Sequence, residues 1–445
     1  MISYKEDSLF KNKNIYSCLV NPKEDLKNKN FGLRTPTIEI NKEEIINLIK
    51  EKYGDFNKGF LHFIKNLESY LGIRYTSVYK TKYRYLQLLK RNKANIVFLR
   101  IISLSLTNNI EESNELFRSL IIKDNYIKIN NLKLPVSNFN KIIAYLTGVI
   151  VGDGHLDKRA NYILIVDGQS DKKKLLFSKK YLQSINNLFY KEFNIKGIIV
   201  KRKTWWYYLI SNKWLTRYFN HYFEIPFGKK SDIVKFQKIL SGSNENYFWR
   251  GLMDTDGFIS DKNKNICLKS SSLKILKQFG KFCIKNNIKY DTKKEIRGWS
   301  FRIFSGSILK YAKSVGAFHP RKKGALIKHL KKGPTYKILK EINKQFNPEI
   351  IKIFKYLRPY KSMVYIKLNE YNKKAHKQEI TKLINSIKDN FNVKITKIKR
   401  NRYNDHYYIC SKQFTEFIKK NATYELPWQP LNKEDINNLS KEWIL

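Results

Sequence analysis

Cysteine is scarce and dispersed. Cys18, Cys267, Cys283 and Cys410 form no CxxC pair, which suggests neither a zinc ribbon nor a disulfide framework. The seven histidines are equally scattered. Long apolar runs are absent too: no stretch approaches the ~20 residues that a membrane-crossing helix needs. The start, MISYKEDSLFKNKN, lacks the apolar core of a secretory leader, so an intracellular setting is expected, in cytoplasm, nucleoid or an organelle matrix. Above all, the chain is short of acid. Only 38 Asp and Glu face 87 Lys and Arg, a formal net charge of +49 over 445 residues. A field of that sign and size favours a polyanion. With 14% aromatic and 42% hydrophobic residues the chain is not a disordered basic tail, and nucleic acid is the expected partner.

What is present is a repeat. YLTGVIVGDGHLDKR begins at Tyr145 and WRGLMDTDGFISDK at Trp249; both hold an apolar run with a glycine inside it, then Asp-Gly, then a polar, basic tail. Each opens the same series of expected elements. After the first motif helix (140–152) come a β-run at 161–169, a helix at 172–193, β-runs at 197–204 and 205–211, a helix at 213–223 and a loop at 225–232. After the second (246–256) come a β-run at 265–271, a helix at 273–287, β-runs at 289–296 and 299–305, a helix at 307–316 and a loop at 318–326. The expected fold is α+β: two αββαββα halves, 136–240 and 241–334. A mostly helical region, 1–135, precedes them, and a small α/β region of unassigned role, 335–445, follows. Within 1–135, the stretch 63–87 reads as a helix, a turn at Gly72 and a second basic helix, a pattern shared by helix-turn-helix domains and plain bundles. KDNYIKINNLKLP (123–135) reads as a hairpin or extended linker.

Glycine inside a helix costs about 1 kcal/mol against alanine, and Gly148 with Gly152, or Gly251 with Thr255, puts small residues on one helix face. Close approach of the two motif helices would repay that cost. Their C-terminal ends would then bring together Asp153 and Asp256, two carboxylates that repel each other and the helix dipole unless a cation lies between them. Mg²⁺ suits such a place, because it takes a few carboxylates together with water and phosphate oxygens.

LTGVIVGDG (146–154) and WRGLMDTDG (249–257) resemble the two motifs of single-chain LAGLIDADG homing endonucleases, over roughly 140–330. The resemblance implies a monomeric, Mg²⁺-dependent nuclease that breaks both strands of a long DNA target, leaving short 3′ overhangs. In that family the last acidic residue of each motif holds two or three shared divalent ions, which maps onto Asp153 and Asp256. It also implies that Gln169, with Lys173 four residues on, orders water near the scissile phosphates; the second half has Lys269 and Ser271 there and no Gln. The loops PFGKKS (226–231) and HPRKKG (319–324) resemble the family's lysine-bearing loops, which points to Lys230 and Lys323, with Lys229 and Lys322 close behind. Asp254, where the first motif has Val151, reads as a structural helix-end residue. The resemblance implies pseudo-symmetric halves whose antiparallel sheets lie along the major groove, and alternation offers Lys201 and Lys203, with Arg202 opposite, in the first half and Lys269, Lys293 and Arg302 in the second as DNA contacts. Trp205, Trp206 and Trp299 read mainly as core or strand-pairing residues. Two alternatives share the fold: an intron RNA-splicing maturase, with intron RNA as partner, and a non-cutting DNA-binding regulator. An intein is not expected, since the chain ends KEWIL without the His-Asn that splicing requires.

Overall fold

The computed structural model describes residues 37–445 apart from 72–77, 122–124, 169–171, 231, 261–264, 297, 335–337, 343–345, 355, 361–362, 367–375 and 402–403. The fold is α+β with antiparallel sheets, as expected from the sequence. At its centre two helices pair, Lys141–Val151 and Glu245–Thr255. Every residue of the first from Ile142 to Val151 is buried, which is why the sequence there is apolar all round and shows no one-sided stripe. Asn140 starts it by accepting from the amides of Ile142 and Ile143, leaving few orphan donors at its first turn.

Each motif helix leads into a four-stranded sheet of the same order. In the first half the strands lie side by side as Gly154–Asp157, Tyr162–Gly168, Trp205–Ser211 and Ile198–Lys201. In the second they run Gly257–Ile259, Ile266–Ser270, Gly298–Ile303 and Tyr290–Glu295. The short first strand of each sheet was not separated out in the sequence, because three or four residues opening on glycine show no alternation. Helices Lys172–Phe193 and Leu273–Lys285 cover one face of their sheets. That face holds Ile163, Ile165, Tyr208 and Ile210 in one half and Ile266, Leu268, Phe301 and Ile303 in the other, all buried.

The segment 318–326, expected as a loop, is instead the first turns of a helix, Pro320–Lys332. Its start is well specified: Pro320 takes the first turn, where a missing N–H costs nothing, and the His319 ring accepts from the Arg321 amide. The corresponding segment of the first half, around Lys230, is irregular.

Among the described residues of 37–135 there are five helices, including Ile110–Ile121, which is not expected from the sequence, and also a four-stranded sheet. Two of its strands are the expected hairpin, Tyr126–Ile129 and Leu132–Pro135, turning through Asn130 at a φ of 52°. The others, Thr37–Glu39 and Lys93–Asn95, are too short to show as strands in sequence. The turn of the helix-turn-helix reading lies outside the described residues.

Beyond Pro334 the chain divides. Residues between Ile353 and Ala422 form a second hydrophobic core of their own, with a four-stranded antiparallel sheet ordered Leu357–Tyr360, Met363–Ile366, Asn404–Ile409 and Thr396–Asn401. The last twenty residues return to the main core. The Trp443 indole donates to Ala312 O at 2.9 Å, the Trp428 indole reaches Ser305 O at 3.3 Å, and the buried Arg250 guanidinium bonds Val315 O and, at 3.3 Å, Glu442 O. Truncation before Trp428 should therefore destabilise the second half; a thermal melt of the shortened chain, with a fall of less than a degree, would contradict this.

Candidate functional site: a carboxylate pair at the joint of two halves

The joint is built by glycine. A Cβ on Gly148 would collide with the Phe248 carbonyl and lie 2.9 Å from Leu252 N; one on Gly251 would collide with the Tyr145 carbonyl and lie 2.9 Å from Val149 N. The two relations are reciprocal, as a pseudo-twofold between the helices requires. Farther along the same face Gly152 abuts the Thr255 hydroxyl. These contacts bring the C-terminal ends of both helices together, and Asp153 and Asp256 follow directly after them.

Both aspartates are exposed at their tips yet ringed by protein. Crowding raises the Asp153 carboxyl above its ordinary value, with the Asp167 carboxylate adding to the rise and Lys322 and Lys230 opposing it. Crowding, then repulsion from Asp153, pushes Asp256 up to about 7, against the pull of Lys230 and Lys322. Both residues also reach water, which tempers the effect of burial.

Two lysines answer the negative ends of the motif helices. Lys230 Nζ donates to the carbonyls of Ile150 and, at 2.6 Å, Gly152. Lys322 Nζ donates to Met253 O at 3.0 Å, Asp254 O at 2.6 Å and Thr255 O at 2.9 Å, so its three protons are all engaged. Burial lowers each lysine to about 8, while Asp153 and a second carboxylate, Asp256 for Lys230 and Asp254 for Lys322, hold it up. The choice of Lys323 is thus corrected by position: successive helical residues point about 100° apart, and Lys323 turns instead toward Ser440 O at 3.4 Å. Replacing Lys322 by Met orphans three carbonyls and should cost about 3 kcal/mol. Lys323→Ala should cost less than about 1 kcal/mol, and urea unfolding of both variants checks the difference.

A polar network that the sequence did not reveal ties the halves together beneath the carboxylates. Asp254 is buried and accepts from the Tyr145 hydroxyl at 2.8 Å and from the amides of Phe318 and His319 at 2.9 and 3.1 Å. It thereby fixes the start of the helix that carries Lys322. His319 uses its Nδ1 to accept from Arg321, which leaves the proton on Nε2 to donate to Asp167 Oδ2 at 2.9 Å. Burial works to raise Asp167, but this hydrogen bond prevails and holds it below its usual value. Tyr181 completes the group, its hydroxyl 3.2 Å from that of Tyr145 and its ring 4.4 Å from His319. The partners are 109 and 152 residues apart for Tyr145–Asp254 and Asp167–His319, beyond the reach of a local pattern.

A hard divalent cation suits the aspartate pair, since two mutually repelling carboxylates gain most from one. Among the described residues no three His, Cys, Asp or Glu side chains gather into a closed metal cage. Asp153 and Asp256 would therefore supply the protein's share of the ligands, with water and phosphate oxygens the rest.

Residues 243–316 match the family model described as a LAGLIDADG-like domain. Most of the second half is thus similar to a LAGLIDADG-like domain. No curated protein matches the chain. Among solved structures it is similar to the homing endonuclease I-DmoI in mesophilic variants, at 20% identity over 42% of this chain and 96% of that one, TM-score 0.31. It is also similar to the homing endonuclease I-WcaI bound to its DNA recognition sequence, at 15% over 43% and 88%, TM-score 0.32, and to the meganuclease I-SmaMI bound to uncleaveable DNA, at 11% over 42% and 87%, TM-score 0.28.

In the LAGLIDADG-like half, register puts three of the sequence candidates on one face. Cys267 pairs with Arg302 and Lys269 with Ser300, while Asp291 and Lys293 pair with the same two residues from the other side. Arg302, Lys269 and Lys293 thus share the face away from the helices. Lys269 holds Glu295 at 2.9 Å in an exposed pair worth little, and Arg302 lies 4.0 Å from Asp291. The first half differs. Lys201 pairs with Trp206, which shares the helix-covered face with Tyr208 and Ile210, so Lys201 lies at the end of the wrong face. Arg202 reaches the open face, its guanidinium 5.6 Å from the Tyr207 ring centroid. Lys203 is exposed in the connecting loop. Trp205 is on the open face opposite Gly168. Gln169 lies outside the described residues, and Lys173 is placed only as part of the helix Lys172–Phe193.

Among the described residues no helix is long and apolar enough to cross a membrane.

Proposed function

We propose that the chain is a site-specific DNA endonuclease of the homing type, cutting both strands of a long target as a monomer and leaving short 3′ overhangs. The observation that carries this reading is the carboxylate pair at the end of a glycine-packed joint between two halves of the same strand order. A duplex offers two scissile phosphates related by an approximate twofold, and Asp153 and Asp256 are a pair of acids that the joint's own symmetry relates. They would hold Mg²⁺, which when bound neutralises phosphate charge and favours attack by water. Lys230 and Lys322 keep the helix ends and both carboxylates together against their repulsion. The open faces of the two sheets, with Lys269, Lys293, Arg302 and Arg202, would follow the major groove on either side.

Selection of cut molecules from a random duplex library with Mg²⁺, followed by sequencing of the ends, tests the reading. The expected product is one recurrent site with staggered 3′ ends; ends that also form in excess chelator, or no ends at all, would overturn it. Binding should fall steeply with salt, each phosphate contact adding about −0.9 to the log–log slope. A flat salt response would contradict the assignment of the excess charge to phosphates.

A further inference from the structure

The region after Pro334 carries no Asp-Gly motif, yet its elements follow a known order. Helix Pro348–Phe354 is followed by strands Leu357–Tyr360 and Met363–Ile366, then helix His376–Phe391, strands Thr396–Asn401 and Asn404–Ile409, and helix Lys412–Asn421. That is the αββαββα series of the two halves. The sheet has their strand order as well: first, second, fourth, third. All its pairings are antiparallel, as theirs are.

We propose that residues 348–421 are a third copy of the LAGLIDADG-like unit that has lost its catalytic carboxylate and serves as an added duplex-DNA-binding sheet. The loss can be located. Asp153 and Asp256 each stand one residue before the first strand of their sheets; the corresponding residue before Leu357 is Tyr356. The preceding helix, PEIIKIF, has no glycine, so it cannot approach another helix as Gly148 and Gly251 do. Its Ile353 and Phe354 are spent on the unit's own core. A unit of this kind can neither join a catalytic pair nor hold an ion at its helix end, but its sheet is intact.

Register separates the two faces of that sheet. Leu357, Val364, Ile366 and Ile409 are buried toward the helices. On the other face Tyr365, Tyr408 and Thr396 form one row across neighbouring strands. Tyr365 and Tyr408 are half-exposed there, their rings edge to face at 5.5 Å. Charge chooses the occupant: residues 335–425 hold 21 Lys and Arg against 8 Asp and Glu. An excess of Lys and Arg in a unit whose open sheet repeats a groove-binding plan fits the phosphates flanking the cut site.

This inference rests on the endonuclease reading, and the experiment separates the two. The full-length protein and its Tyr365→Glu/Tyr408→Glu variant are footprinted with hydroxyl radicals on a long duplex selected from a random library, with a thermal melt to verify the fold and Tyr365→Ser/Tyr408→Ser as a second, milder variant. The wild-type chain is expected to protect a central segment containing the cut and an extension on one side only. Both variants should lose the extension, with affinity about tenfold weaker, while central protection and cut positions stay. A wild-type footprint confined to the centre, or an unchanged footprint and affinity in both variants, would overturn the third-copy proposal and leave the central reading standing. Loss of binding to a structured RNA with DNA protection unchanged would also overturn it. Absence of central protection in the wild-type protein would instead count against the endonuclease.

Discussion

Asp256→Asn is expected to raise the melting temperature of the metal-free protein by about 2–4 °C near pH 7.5. The reason is the burial of Asp256 at the joint, to which repulsion from Asp153 adds. Asp256 titrates at about 7 in the fold against an ordinary value of 3.8. Between those values the folded state binds the extra proton, so the stability of the metal-free protein falls as pH rises through that window and stays reduced above 7. Asparagine keeps the shape and removes the charge, so the variant should show no such decline. Mg²⁺ should narrow the difference by stabilising the wild-type protein more than the variant, and more at pH 7.5 than at pH 5.5. Differential scanning calorimetry of both proteins at the two pH values, with and without Mg²⁺, reads all of this. An Asn variant less stable than the parent above pH 7 would mean that Asp256 makes a stabilising contact there instead.

Gly148→Ala and Gly251→Ala should each cost about 3 kcal/mol, the upper part of the range for overpacking. At Gly59 or Gly280 a new methyl group first meets the end of a side chain; Gly148 and Gly251 differ. At these two it meets the carbonyls of Phe248 and Tyr145, backbone atoms of the partner helix, which cannot yield without parting the helices. Because the relation is reciprocal, the double variant should not cost the sum: once one substitution has spread the joint, the second finds room, and a coupling of about 1 kcal/mol is expected. Cleavage should fall more steeply than stability, since parting the helices separates Asp153 from Asp256. Urea unfolding and cleavage rates measured on the same preparations test this, and a Gly148→Ala protein with unchanged stability would show that the helices pack by some other face.

The motif helices were legible in the sequence because two independent constraints wrote them. Burial on all sides makes 142–151 apolar throughout, and close approach demands glycine at 148 and 251. The long helices and inner strands were legible for the ordinary reason that one covered face imposes a period. Elsewhere the local signal failed. HPRKKG resembles a loop, and only the combination of His319 as cap and Pro320 in the first turn marks it as a helix start, which is what turns Lys322 inward and Lys323 out. Lys201 was assigned to the DNA face by alternation alone; pairing with Trp206 shows that alternation gives two faces without saying which is covered. Asp167, His319, Tyr145 and Asp254 form a network only after the halves meet, so nothing near any one of them announces it. The third unit was invisible because its motif is gone, and topology is the part of a repeat that outlasts its residues.

The central claim is that Asp153 and Asp256 form one site acting on two strands, and strand-resolved cleavage of the selected duplex by Asp153→Asn, Asp256→Asn and the double variant tests it most directly. Each single variant is expected to lose on the order of a thousandfold in double-strand cutting, the double variant to cut neither strand, and all three to keep the parent's footprint at the centre. Double-strand cutting at the parent's rate by both single variants, with the footprint intact, would contradict it.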